Sequence, residues 1–309
     1  MFRTAVVLTT LLALAASFAV ADLTESFSGS TTPPGWTIQG YDAANGITTG
    51  TPLTDAYWFG SQTPYGYLRL TDITPTNGYD RTSAFWTGIS GPELFWSDNW
   101  TLTVDIRVGR SAYGDPTFPD GADGLAFTWV DANSISGTGD LIGGTGDWMG
   151  TPRGTSQDSV PGYVAGIQGY SFQFDDFRNT GEPSYEFTSL VDINDWTTAG
   201  GTVANFSADN SFYLNEDWQT VQLDNNSGNF TFYWGPGLAN SYSWSVSNLP
   251  NYGAYFGITA STGQRRAYHE IRNFNLDAVL VPEPGTMALL LLGLGAGGAW
   301  VRRRRKTEE

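Results

Sequence analysis

Thr101-Leu102-Thr103-Val104-Asp105-Ile106-Arg107-Val108 sets an apolar residue at every even position and a polar one at every odd position. Successive side chains of a strand point to opposite faces, so this window predicts a strand with one face buried and one in water. Ser241-Tyr242-Ser243-Trp244-Ser245-Val246 follows the same rule, and so do residues 219–224 with Val221 and Leu223 turned inward. Further strands are expected over 66–70, 125–130, 163–174, 188–193, 230–234, 254–260 and 271–278. Asn77-Gly78, Asp120-Gly121, Ser227-Gly228-Asn229 and Asn248-Leu249-Pro250 supply turns between them. No helix of more than three turns is expected between the two chain ends. Many strands without crossover helices predict an all-β sandwich.

Residues 22–281 hold nine Arg and no Lys against 28 Asp and Glu, a net charge of −19. Phosphate binding needs cationic groups, so nucleic acid is excluded as a partner, whereas calcium and neutral sugars remain compatible. The chain has no Cys, which removes disulfides, thiol catalysis and zinc sites built on Cys and His. Its single His269 precedes a predicted strand and reads as a packed structural residue rather than a member of a catalytic triad.

The ends carry their own instructions. Residues 1–21 follow Arg3 with an apolar run and close on Ala19-Val20-Ala21, a small-x-small boundary for signal peptidase, so the mature chain should begin at Asp22. The other end reads VPEPGTMALLLLGLGAGGAWVRRRRKTEE. Residues 286–301 are uncharged and predict one C-terminal transmembrane helix, held on its cytoplasmic side by the basic tail 302–306. Val281-Pro282-Glu283-Pro284, the apolar run and the basic tail together resemble the PEP-CTERM signal of exopolysaccharide-making bacteria. That resemblance implies recognition by exosortase, a membrane protease. It also implies an exported protein that lies transiently in the inner membrane and then in the periplasm, cell surface or extracellular matrix. The domains are therefore expected as 1–21 (signal peptide), 22–280 (β-sandwich) and 281–309 (sorting signal, with its motif at 281–284).

Two inner windows bear on chemistry. Residues 135–154 are glycine-rich without the GxxxxGK[ST] order of a phosphate loop, and read either as a surface loop or as a place where a ligand approaches backbone N–H groups. Tyr170-Ser171-Phe172-Gln173-Phe174-Asp175-Asp176-Phe177-Arg178-Asn179-Thr180-Gly181-Glu182 runs from a strand into an acidic loop. Carboxylates, an amide carbonyl and a backbone carbonyl so close in sequence suit calcium, which takes six to eight oxygens; a merely solvated loop is the other reading. Asp175, Glu182 and Glu186 could also be paired as glycosidase carboxylates, although any acidic set can be paired in this way.

Gly121-Ala122-Asp123-Gly124-Leu125-Ala126-Phe127 and Phe172-Gln173-Phe174-Asp175-Asp176-Phe177-Arg178-Asn179, followed by 255–276, resemble the L-type lectin family. The resemblance implies a concanavalin A-like jelly-roll sandwich and a shallow sugar site. In that site Asp123 accepts sugar hydroxyls, Gly143 or Gly144 donates a backbone N–H, Asn179 bonds the sugar and the Phe177 ring stacks on it. The variable loop 262–267 would bring Gly263 and Gln264. Calcium would be held by Asp175, the Phe177 carbonyl, Asn179 and Glu182. Gln173 and Phe187 stand where relatives with a transition metal carry Glu and His, so no manganese is expected. The combined expectation is a calcium-supported, non-enzymatic, carbohydrate-binding protein of the bacterial envelope, with a glycan or exopolysaccharide, signal peptidase and exosortase as partners. A structural matrix protein with a degenerate site is the alternative, and a polysaccharide hydrolase a more distant one.

Overall fold

The computed structural model describes residues 20–25, 27, 32–42, 46–48, 66–71, 81–88, 94–95, 99–110, 123–143, 149, 151–152, 166–175, 187–194, 202–206, 217–246, 253–262 and 267–279. The chain divides into Asp22–Ala278 and a second unit of Met1–Ala21 with Val279–Glu309. The strands are β1 (Val20–Glu25), β2 (Trp36–Asp42), β3 (Gly46–Thr48), β4 (Leu68–Arg69), β5 (Arg81–Trp86), β6 (Leu94–Phe95), β7 (Trp100–Arg110) and β8 (Gly124–Asp131). They continue with β9 (Gly169–Asp175), β10 (Phe187–Asp192), β11 (Thr202–Phe206), β12 (Gln219–Asn226), β13 (Asn229–Trp234), β14 (Asn240–Ser245), β15 (Gly253–Ser261) and β16 (Ala267–Val279). Among the described residues the helices are short 3-10 turns such as Ala132–Ser134 and Thr138–Leu141.

Two sheets form an all-β jelly-roll sandwich. One has seven strands in the order β1-β16-β7-β12-β13-β14, with β4 also on β16. The other has nine in the order β11-β10-β9-β8-β15-β5-β2-β3, with β6 also on β15. The alternation in β7 comes out as read: Leu102, Val104, Ile106 and Val108 are buried, whereas the odd positions between them are half-exposed. Rings from the two sheets meet across the sandwich, Trp100 against Trp129 at 4.9 Å and Phe172 against Phe232 at 5.1 Å between centroids. Each large apolar side chain taken from water contributes about 1.5–3 kcal/mol, so this aromatic layer is what replaces the missing disulfides.

The nine-stranded sheet is covered on both faces. Phe85, Val130, Leu141, Ile167 and Ile193 make a second, smaller apolar cluster on the side away from the seven-stranded sheet. Hence β8 is buried at seven consecutive positions from Gly124 to Val130, and a strand shielded on both faces loses its polar alternation. Thr128, Thr151, Ser171 and Thr259 add a buried hydroxyl cluster there, joined by contacts of 3.1–3.3 Å. Strand β16 carries a bulge. Arg272 pairs with Asp105 and Asn275 with Thr103, so Asn273 and Phe274 together face one residue of β7. The extra residue changes parity: Ile271 and then Phe274, Leu276 and Ala278 are buried.

Two expectations need correction. Of the strand expected over 163–174, residues 163–165 lie outside the described residues, Gly166 at φ +79° stands in a turn, and the strand begins only at Gly169, the first residue of β9. The C-terminal transmembrane helix over 286–301, and with it the transient inner-membrane location and the membrane as a partner, is also overturned: no helix among the described residues is long and apolar enough to cross a membrane. Residues 280–309 themselves lie outside the described residues. The physical ground is length and composition. Sixteen uncharged residues would rise about 24 Å as a helix, short of the roughly 30 Å hydrocarbon core, and Gly293, Gly295, Gly297 and Gly298 all disfavour helix.

Candidate functional site

Antiparallel register brings distant sequence segments to one end of the nine-stranded sheet. Gly124, at the start of β8, pairs with Ser261 at the end of β15 and with Asp175 at the end of β9. Ser261 in turn pairs with Arg81, the first residue of β5. One row across the sheet therefore reads Arg81, Ser261, Gly124, Asp175 and then Phe187 of β10. Asp123 stands immediately before this row, and its backbone N–H donates to the Ser261 carbonyl at 3.0 Å.

The close approach depends on Gly124. Its φ is +147°, and a Cβ there would lie 2.1 Å from the Phe174 carbonyl oxygen and 3.2 Å from Met149 Sδ. Only glycine has both the backbone freedom and the missing side chain that this position requires. With it, two carboxylates are delivered to one strand end: Asp123 is 4 % exposed and Asp175 2 %. Arg81 is 0 % exposed, so a buried cation shares the row with Asp175 and lies one strand beyond Ser261. Burying charge is costly unless opposite charge and hydrogen bonds are near, and the register supplies charges of both signs.

The glycine-rich window reaches the same end. Gly143 is buried, and a Cβ on it would lie 1.6 Å from the Thr151 carbonyl oxygen. Thr151 is held against Ser171 and Thr259, and Met149 sits against Gly124, the residue that follows Asp123. Gln173 is buried with its Oε1 accepting a hydrogen bond from Ser189 Oγ at 3.2 Å. Phe187 pairs with Asp175 in register.

Of the expected site residues, the structure brings Asp123 and Asp175 to one end of the sheet, and packs Gly143 against Thr151. Gly144, Phe177, Asn179, Glu182, Gly263 and Gln264 lie outside the described residues. Their described flanks are informative. Asp175 and Phe187, which are partners in register, bracket 176–186, and Thr262, next to Ser261, precedes 263–266. Among the described residues no three His, Cys, Asp or Glu are grouped to hold a metal ion. Sequence reasoning missed Arg81 and Met149. Neither belongs to a motif, and a lone charge in Arg81-Thr82-Ser83-Ala84-Phe85-Trp86 gives no signal of burial.

A second charged cluster lies on the outward face of the seven-stranded sheet. The buried Glu270 is clamped by Arg69 at 2.7 Å and by Arg107. Arg107 stacks over Trp218 and Arg69 over Tyr268, at 4.7 and 4.9 Å to the ring centroids. Burial first, and then the Glu270 carboxylate, push the nearby Tyr67 hydroxyl above its ordinary range.

Comparison with known proteins places these features. Residues 280–306 match the family model described as the PEP-CTERM protein-sorting motif. No curated protein matches the chain. Among solved structures, the VIP36 exoplasmic/lumenal domain in a Ca2+/Man3GlcNAc-bound form is similar at 17 % identity and a TM-score of 0.53, over 85 % of this chain and 92 % of that one. The Bauhinia forficata lectin in complex with GalNAc is similar at 13 % identity and 0.52, over 84 % and 98 %. The Lotus tetragonolobus seed lectin is similar at 12 % identity and 0.55, over 84 % and 99 %. The fold is thus shared with these lectins.

Proposed function

We propose that this L-type lectin-like jelly roll, followed by a PEP-CTERM sorting motif, is a calcium-supported carbohydrate-binding protein exported to the bacterial envelope. The observation that carries the reading is the convergence of Asp123 and Asp175 across Gly124, with Met149 beside Gly124. Asp123 accepts hydroxyls of the sugar. Gly143 or Gly144 adds a backbone N–H, Asn179 a second polar contact, Phe177 an apolar ring, and Gly263 with Gln264 the variable rim. Such a combination fixes a sugar by pairing its hydroxyls and covering its C–H face.

Calcium fits the donor set. Asp175 is a hard oxygen ligand fixed by the end of a paired strand, and the Phe177 carbonyl, Asn179 and Glu182 follow within seven positions. When bound, the ion would draw that loop towards the strand end and hold Asn179 where it serves both ion and sugar. The solved Ca2+/Man-bound form of VIP36 supports this assignment. Gln173, neutral and engaged by Ser189, does not suit a manganese site. The glycan or exopolysaccharide and the processing enzymes, signal peptidase before Asp22 and exosortase at Pro282-Glu283-Pro284, are the partners this reading implies. So is a mature domain spanning 22–280.

A glycan array with and without calcium tests the function. Sugar binding that disappears with chelator and falls about tenfold or more in Asp123→Asn, from the loss of a charge-assisted bond, is the expected result. An array that stays blank at saturating calcium would leave a structural protein of the matrix as the better reading.

A further inference from the structure

Among the described residues, four Arg, Asp or Glu side chains are buried: Arg81, Asp123, Asp175 and Glu270. Glu270 is held on the other sheet by Arg69 and Arg107. The remaining cation and two anions stand at one end of the nine-stranded sheet. A guanidinium keeps its charge at any pH a protein meets, so it cannot escape burial by losing a proton. Such a side chain is almost never wholly buried unless opposite charge is near.

Register sets the spacing. Arg81 is the partner of Ser261, and the Asp123 N–H donates to the carbonyl of that same residue at 3.0 Å. Arg81 of β5 and Asp123 before β8 therefore flank Ser261 of β15 on opposite sides, two strand spacings or about 10 Å apart at the backbone. Asp175 stands one strand further, about 14 Å from Arg81. Partners in register share a face of the sheet. Between Arg81 and Asp175 the row carries Ser261 and Gly124, a short side chain and none at all, so on the sheet itself nothing tall separates the long arginine from the acids.

We infer that Arg81 is the built-in counter-charge of this site, a positioning residue that offsets Asp123 and Asp175 whether or not calcium is present. The inference rests on the reading of these two acids as sugar and calcium ligands. One Arg and two Asp sum to −1; calcium would bring the group to +1, and without Arg81 the empty site would stand at −2. Arg81 thus has two effects of opposite sign. It stabilises the ion-free strand end by opposing two buried anions, and it weakens calcium binding by repelling the ion. A unit and a double charge about 14 Å apart change an equilibrium about threefold even at the dielectric constant of water, and a buried strand end is screened less. A residue that only filled space would not separate these effects, because its loss would loosen the acids and lower calcium affinity along with stability.

Two measurements on the protein recovered from its host test this. The first is a double-mutant cycle of Arg81→Gln with Asp123→Asn, unfolded in urea with a chelator present. The unfolding constant should show a coupling of about fivefold or more, the double variant being more stable than the two single losses imply, and the coupling with Asp175→Asn should be weaker. If Arg81→Gln alone does not fold, recovery of the fold in the double variant is the same result. The second is calcium titration by calorimetry. Arg81→Gln should bind calcium at least about threefold more tightly than the parent, whereas Arg81→Lys, which keeps the charge, should stay near the parent. Additive losses in the cycle, a double variant no better folded than Arg81→Gln, calcium affinity unchanged or lower in Arg81→Gln, or Arg81→Lys behaving as Arg81→Gln does would each overturn the inference. A parent that takes up no calcium would instead sink the calcium reading, and the ion-free cycle would still decide on Arg81.

Discussion

Replacing Gly124 with Ala tests the joint on which the candidate site is built. The backbone there stands at φ +147°, and holding an L-residue in a region reserved for glycine costs about 1–3 kcal/mol. The added Cβ would lie 2.1 Å from the Phe174 carbonyl oxygen, about 1 Å inside ordinary contact, and over-packing of this kind costs about 1–3 kcal/mol more. A combined loss of about 4 kcal/mol should lower the melting temperature by about 10 °C, at about 2–4 °C per kcal/mol for a domain of this size. Gly137→Ala is the control, since Gly137 is extended at φ 178° and its added Cβ would meet nothing within 4 Å; it should change stability by less than about 0.5 kcal/mol. Thermal unfolding followed by circular dichroism measures both. The same displacement should separate Asp123 from Asp175, so that calcium and sugar affinity fall together in titration calorimetry. If Gly124→Ala melts within about 2 °C of Gly137→Ala, the close approach of β8 and β9 does not constrain the site, and this account of its geometry fails.

Other expectations can be checked in parallel. Calcium should raise the melting temperature of the parent by mass action, and Asp175→Ala should abolish that rise; a rise that persists places the ion elsewhere. Glu270→Gln leaves Arg69 and Arg107 around a neutral amide. Breaking a buried pair costs about 3–5 kcal/mol, and because these Arg side chains are 18 % and 23 % exposed a loss nearer about 2 kcal/mol is expected. Denaturant midpoints measure that loss, and no change would mean that solvent already screens the cluster. Tyr67 is raised by burial and then by Glu270, and Tyr170 by burial and then by Asp192. The folded state therefore keeps protons that the unfolded chain releases above about pH 10. Stability should be full below that pH and fall as the pH rises through it, with the fall flattened in the Tyr67→Phe, Tyr170→Phe double variant.

Legibility in the sequence tracked exposure. β7, β12 and β14 each leave one face open, so their alternation was visible from Thr101–Val108, 219–224 and 241–246 alone. β5 was not found, because Arg81, Thr82 and Ser83 are polar yet wholly buried, and a strand covered on both faces has no outward residues to mark it. β2 and β11 were also unread, and β16 begins four residues earlier than expected, where the polar His269 and Glu270 are both buried and give no alternation. Motif resemblance singled out Asp123 and Asp175, and register between strands sets both at one end of the nine-stranded sheet. Arg81 and Met149 were not legible, since what brings them there is register between strands far apart in the chain. The C-terminal run suggested a membrane helix by its lack of charge, but its length and its glycines tell against one.

The bulge in β16 sets where this strand can change length. Counting residues along the chain, Ile271 and Phe274 share a face only because one residue between them is supernumerary. Loss of Asn273 would leave Ile271, Phe274, Leu276 and Ala278 in uninterrupted alternation, at the expense of the bond from Asn273 Nδ2 to Asp105. Loss of a single residue elsewhere in the strand would instead turn one half of it inside out, sending Glu270 or Asp277 towards the core. When the chains of close relatives are aligned, a one-residue gap in β16 should therefore fall at 272–275 and nowhere else along its length.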